Sequence, residues 1–255
     1  MLKESTNIKT PEFSLRKRFC VATILLLIFF AFLWANVTSG IPFVPILATF
    51  IALCALTELV SICRSRLSSQ VVATAILQVL LIICATFAIW VIERYFENWA
   101  LILLAILVPV FTQNMSAYFI GHFWLPRVRD NSSVFTRLLR WRNFHSSPRK
   151  TAGIAIITSF LALIITLPWT INDPLLAPIA VIASLTAAFG DLLESYLKRL
   201  VHVQDSGERL RDGRSTFAYL ERAVGSHGGF LDRFDSVFFC CAIILPVITI
   251  SIGGR

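Results

Sequence analysis

Apolar residues in this chain come in long unbroken runs, not in the alternation of a half-buried strand or the narrow stripe of a surface helix. About 20 such residues in a row are what a helix needs to cross a bilayer core. Seven segments qualify, roughly 19–36, 41–63, 70–92, 99–121, 151–170, 174–197 and 235–252. The pattern predicts an all-α fold, a polytopic transmembrane helical bundle. No small-residue cleavage site follows the first run, so it is expected to stay as a helix that anchors and orients the chain. The long polar stretches, 122–150 and 198–233, are the places where a surface away from lipid can form. Function is expected there and at the adjoining helix ends.

Composition agrees with this pattern. Hydrophobic residues make up 56% of the 255 and charged residues 15%, with a mean hydropathy of +0.75. That is too much apolar surface for one soluble core. Cys20, Cys54, Cys63, Cys84, Cys240 and Cys241 all lie in or beside apolar runs with no CxxC pair, so they read as small packing residues and not as a disulfide or zinc framework.

A net charge of +8 would suit nucleic acid in a soluble protein, but here it reports topology, and no nucleic-acid partner is expected. With seven spans, twenty-one of the 23 Lys and Arg fall on one side, leaving Arg94 and Arg255 on the other. The positive-inside rule then puts the N-terminus and both long loops in the cytoplasm. The chain divides into a basic cytoplasmic N-terminus (1–18), spans one to four (19–121) and a C-terminal membrane region with two cytoplasmic loops (122–255).

Polar residues inside spans are costly and usually face a cavity or a partner. Glu58 lies near the cytoplasmic end of its span, where it is expected to reach the interface or pair with Arg64 or Arg66. The Gln113 and Asn114 pair interrupts the fourth span. In GDLLESYLKR, Asp191, Glu194, Ser195 and Lys198 share one helical face. An ion pair accounts for Glu194 and Lys198 but not for Asp191, so a cavity-facing stripe is expected. Asp232 and Asp235 open the last span, where a helix N-terminus favours negative charge. One acid would suffice as a cap; two acids, with Arg233, His227, Gly228 and Gly229 beside them, make the inventory of a magnesium and polyphosphate site. Four scattered histidines lack zinc spacing.

These residues resemble a known signature. Ser195, Lys198 and Arg199, then Asp205 and Gly207, then His227, Gly228, Gly229, Asp232, Arg233 and Asp235 are similar to the motif of phosphatidate cytidylyltransferases, also called CDP-diacylglycerol synthases. Gly190, Asp191 and Glu194 extend the likeness upstream. SPRKT at 147–151 looks like the family's Ser-Pro-Lys-Lys-Thr block, and SAYFIG at 116–121 like the end of another family helix. The likeness runs from about 114 to 239.

The resemblance implies a magnesium-dependent membrane enzyme, with room for a second cation, that joins CTP and phosphatidic acid into CDP-diacylglycerol and pyrophosphate in phospholipid biosynthesis. It implies a bacterial inner-membrane location, a homodimer and an active site on the cytoplasmic face. Asp191, Glu194, Asp232 and Asp235 would hold metal. Asp191, Lys198, Asp232, Arg233 and Asp235 would carry catalysis. Substrate would meet Ser147, Lys150, Ser195, Arg199, Asp205, Gly207, His227, Gly228 and Gly229.

The chain departs from that pattern in four places. Asn114 stands where an aspartate is usual, Gly153 where a glutamate follows the Lys-Thr block, and Gln204 where a lysine precedes Asp205. Residues 211–224 are an insert, read either as a short amphipathic helix on the headgroup surface or as a solvated loop. The 122–150 loop carries Trp124, Phe135, Leu138, Leu139, Trp141 and Phe144 among arginines and reads as an interfacial segment for anionic lipid. Two other functions stay open: a related CTP-dependent enzyme acting on another lipid phosphate or lipid alcohol, and a non-catalytic homologue that binds lipid or a partner.

Overall fold

The computed structural model describes residues 15–64, 68–121, 143–144, 147–203 and 229–253, with side chains from Leu27 onward except at 143–144 and 147–150. It divides into two compact units, one through Val44 and one from Pro45.

The first unit holds α1 (Leu15–Ser39), a helix of 25 residues. Gly40 follows with φ +67, a backbone state that costs glycine no Cβ clash. Just beyond it, the Asn36 carboxamide Oδ1 accepts the Val44 N–H at 2.9 Å. Phe32 meets Phe43 edge to face, ring centres 6.1 Å apart.

Among the described residues six helices are long and apolar enough to cross a membrane: α2 (Phe43–Cys63), α3 (Ser69–Tyr95), α4 (Trp99–Phe119), α5 (Ala152–Thr170), α6 (Leu176–Val201) and α7 (Phe230–Gly253). With α1 they stand on the seven expected spans. The fold is helical as predicted, with one addition among the described residues. β1 (Asn143–Phe144) pairs antiparallel with β2 (Ser147–Thr151), in the stretch that leads into α5.

Helix starts follow local chemistry. Ser68 caps α3 through its side chain, Thr151 Oγ1 accepts from Ile154 at the start of α5, and Asp173 Oδ1 accepts from Leu175 and Leu176 at the start of α6. Each satisfies N–H groups that the first helical turn leaves open. At its other end α6 stops at His202, which adopts a left-handed φ of 58 while Val203 N–H reaches back to the Lys198 carbonyl at 3.1 Å.

In the second unit α6 is the hub. It packs on α7, α4, α5 and α3, and β2 lies against α6 as well as α5. Large apolar side chains such as Leu80, Phe87, Phe160, Ile164 and Ile250 remain exposed on the outer faces, as lipid-facing residues should. The described cysteines Cys54, Cys63, Cys84, Cys240 and Cys241 are free thiols, in keeping with the packing role read from their positions.

Two boundaries on the α6–α7 contact differ from the expected spans by four residues or more. The sixth run ended at 197 and its helix continues to Val201; the seventh began at 235 and its helix begins at Phe230. Hydropathy stops where charges begin, but these charges belong to the helices because they neutralise one another across the α6–α7 contact.

Candidate active site

The α6–α7 contact is built around a missing side chain. A Cβ on Gly190 would lie 2.5 Å from the Asp235 carbonyl oxygen and 2.6 Å from the Ser236 Cα. Only glycine lets the two backbones approach this closely, the device that membrane helices use where van der Waals packing must replace the hydrophobic effect. Farther into the span, Thr186 Oγ1 lies 3.4 Å from Cys240 Sγ and Phe189 stacks on Phe239. These contacts fix the register that brings the end of α6 beside the start of α7.

At that junction Lys198 holds two acids. Its Nζ is 2.7 Å from Glu194 Oε2, one turn back on α6, and 3.1 Å from Asp232 Oδ1 on α7. The side chains of Lys198, Asp232 and Glu194 are 17, 14 and 1% exposed. Burial raises the cost of any uncompensated charge, so the three depend on one another. Glu194 Oε1 is buried with no hydrogen-bond partner, an acceptor left open beside the cation. The i to i+4 ion pair anticipated in the sequence is present, and Asp232 joins it from the other helix.

The other expected site residues distribute around this triad. Asp191 is half-buried one turn before Glu194. Ser195 is 7% exposed, Arg199 is exposed and Arg233 half-buried. Asp235 is 7% exposed, and its Oδ1 accepts from the Ser236 N–H. Among the described residues no three acids, histidines or cysteines converge as a metal cluster. Ser147 and Lys150 are on β2, the strand that reaches α6. Gly229 is buried immediately before α7. Asp205, Gly207, His227 and Gly228 lie outside the described residues, as do Gln204 and the 211–224 insert.

Two residues were undervalued by sequence reasoning. Glu58 is 1% exposed, which overturns its expected interfacial placement. Its Oε1 accepts from the Phe230 N–H at 2.6 Å and its Oε2 from the Leu231 N–H at 2.9 Å. A cap of α7 therefore comes from α2. An acid in an apolar span was a visible signal; the partner, far away in sequence, was not. Gln78 is 4% exposed on α3 with Oε1 lacking a partner, and it borders a crevice shared with Gly190 and Asp235. Its signal was an amide set among apolar residues.

Of the residues that depart from the resembled pattern, Asn114 is exposed on α4 and Gly153 is buried in the first turn of α5. Neighbouring Gln113 is 2% exposed, and its Nε2 donates to Ser159 Oγ on α5 at 2.9 Å.

Parts of the chain are similar to known proteins. A phosphatidate cytidylyltransferase of Helicobacter pylori is 45% identical over 56 residues, covering 22% of this chain and 16% of that relative. One from Staphylococcus aureus is 36% identical over 110 residues, 41% of this chain and 35% of the relative. One from Staphylococcus haemolyticus is 37% identical over 82 residues, 32% and 25% respectively. The matched stretches thus span at most 35% of these relatives' own length. The model of the cytidylyltransferase family matches residues 1–251, nearly the entire chain. By that match, the chain belongs to the cytidylyltransferase family.

Proposed function

We propose that this protein is a phosphatidate cytidylyltransferase that transfers CMP from CTP to phosphatidic acid, giving CDP-diacylglycerol and pyrophosphate. The observation that carries the reading is Lys198, held between Glu194 and Asp232 where α6 ends and α7 begins. A cation and carboxylates buried together at the end of two spans suit a reaction between a soluble triphosphate and a lipid headgroup.

In this reaction an ionised oxygen of the lipid phosphate attacks the α-phosphorus of CTP. The new P–O bond forms as the bond from the α-phosphorus to the oxygen bridging the β-phosphate breaks, and pyrophosphate leaves with the electron pair. The nucleophile is already ionised, so a general base has little to do. Catalysis reduces to in-line positioning and to neutralising charge on phosphate oxygens. Lys198, Arg199, Arg233 and Lys150 are the cations assigned to those oxygens. Ser147, Ser195, Asp205, Gly207, His227, Gly228 and Gly229 are assigned to the substrates.

The residues present fit magnesium. This ion is usually held by one or two carboxylates, with substrate phosphates and water in its other positions. Glu194 and Asp232 supply the carboxylates, and Glu194 Oε1 is an unclaimed buried oxygen. Asp191 and Asp235, which form no cluster of three with that pair, are assigned to a second cation. Magnesium, when bound, would supply charge neutralisation for the phosphates.

The excess of Lys and Arg on one side supports a cytoplasmic site in a bacterial inner membrane. A homodimer belongs to the same reading.

The test is incorporation of labelled CTP into lipid by purified protein given magnesium and phosphatidic acid. CDP-lipid is expected from the wild type and not from Asp232→Ala. Wild-type product no higher than that control would overturn the proposal.

A further inference from the structure

Glu58 takes no part in the scheme above, yet both its carboxylate oxygens accept backbone N–H groups of α7. It reaches across 172 residues of sequence to the first two N–H groups of α7, and both its oxygens are engaged. Burying a carboxylate is costly unless it is hydrogen-bonded, and bonds from an ionised acceptor to backbone N–H groups are among the stronger ones. A local cap would be simpler, but the residue before α7 is Gly229, which has no side chain to offer. The cap therefore arrives from another span.

Leu231 immediately precedes Asp232, and Asp235 follows within the next turn. Fixing the N–H groups of Phe230 and Leu231 fixes the position and rotation of the turn from which both acids project. We propose that Glu58 is a positioning residue, a cap reaching from α2 to α7 that sets Asp232 against Lys198. This deepens the proposed cytidylyltransferase function and rests on it. The same two N–H groups, being occupied by Glu58, are not the ones that receive substrate phosphate.

The test uses the full chain in lipid nanodiscs with Glu58→Ala and Glu58→Gln. Alanine removes both acceptors. Glutamine keeps the size but offers one acceptor oxygen, and its amide N–H groups face the second backbone donor. Misplacing reacting groups by about 1 Å costs on the order of 100-fold in rate. A fall in kcat of about 100-fold is therefore expected for alanine and about tenfold for glutamine, with KM for CTP changed less than about threefold. Amide exchange at Phe230 and Leu231 should quicken at least about tenfold in the alanine variant while the middle of α7 stays protected.

An unchanged kcat in both variants would overturn the proposal. So would a fall in kcat accompanied by faster exchange throughout the bundle, which marks general destabilisation. If alanine does not fold, glutamine decides on the same criteria. If the wild type makes no CDP-lipid, the proposed activity fails, and local exchange at Phe230 and Leu231 still judges Glu58: unchanged exchange there refutes it.

Discussion

Two seams of the bundle treat buried polarity in opposite ways. At the α6–α7 seam it is ionic: Lys198 between Glu194 and Asp232, with Glu58 on the backbone of α7 next to them. At the α4–α5 seam it is neutral: Gln113 donates to Ser159, and Thr158, Thr166 and Thr170 return their hydroxyls to carbonyls of their own helix. A neutral amide or hydroxyl in a span needs one partner, whereas each buried charge needs a counter-charge or several donors. Ionic groups are worth that cost where charge must be handled during a reaction. On the proposed function, the ionic seam of α6 and α7 is where that handling would take place.

The sharpest way to break the contrast is to make the ionic seam neutral. Lys198→Met leaves Glu194 and Asp232 without their shared cation. Loss of such a charge-stabilising group is expected to cost about 100- to 1,000-fold in kcat, read as CDP-lipid formed per minute. A rate within threefold of wild type would remove Lys198 from the site.

A smaller effect is expected from the geometry that holds the seam together. In Gly190→Ala the added methyl meets the Asp235 carbonyl, and α6 and α7 must separate. Overpacking of this kind costs roughly 1–3 kcal/mol, to be read as a lowered melting temperature together with reduced turnover. Full stability would mean that the helices approach less closely than described.

The smallest change is expected at the neutral seam. Asn114 is exposed on α4, and Asn114→Asp restores the residue usual in the resembled pattern. Turnover should stay within about twofold, the range usual for a surface change that touches no special feature. A large fall would show that the amide itself has a role and that α4 belongs with the chemistry.

The spans were legible because a bilayer demands long apolar runs, a one-dimensional property. The triad was partly legible: Glu194 and Lys198 are one turn apart, so helical geometry alone predicted their pairing, and the resemblance singled out Asp232. That Asp232 meets the same ammonium required α6 and α7 to be brought together. Gly190 shows why that step was hidden, because a glycine in sequence says nothing of which backbone will approach it. Glu58 was hidden in the same way. Its acid was visible, but its partners are backbone N–H groups, which every residue but proline possesses and which no residue letter distinguishes. The early start of α7 was missed for a related reason, since the cap that permits it is on α2.

The contact at Gly190 also bears on precision. Where side chains separate two helices, the spacing shifts as those side chains exchange rotamers. Between Gly190 and the Asp235–Ser236 backbone no rotatable group intervenes, so the spacing has nothing to exchange and no side-chain entropy is lost in setting it. The pair behaves as a gauge block: the separation of Lys198 from Asp232 is referred to two main chains in direct contact, and it stays the same however the lipid-facing side chains around them rearrange.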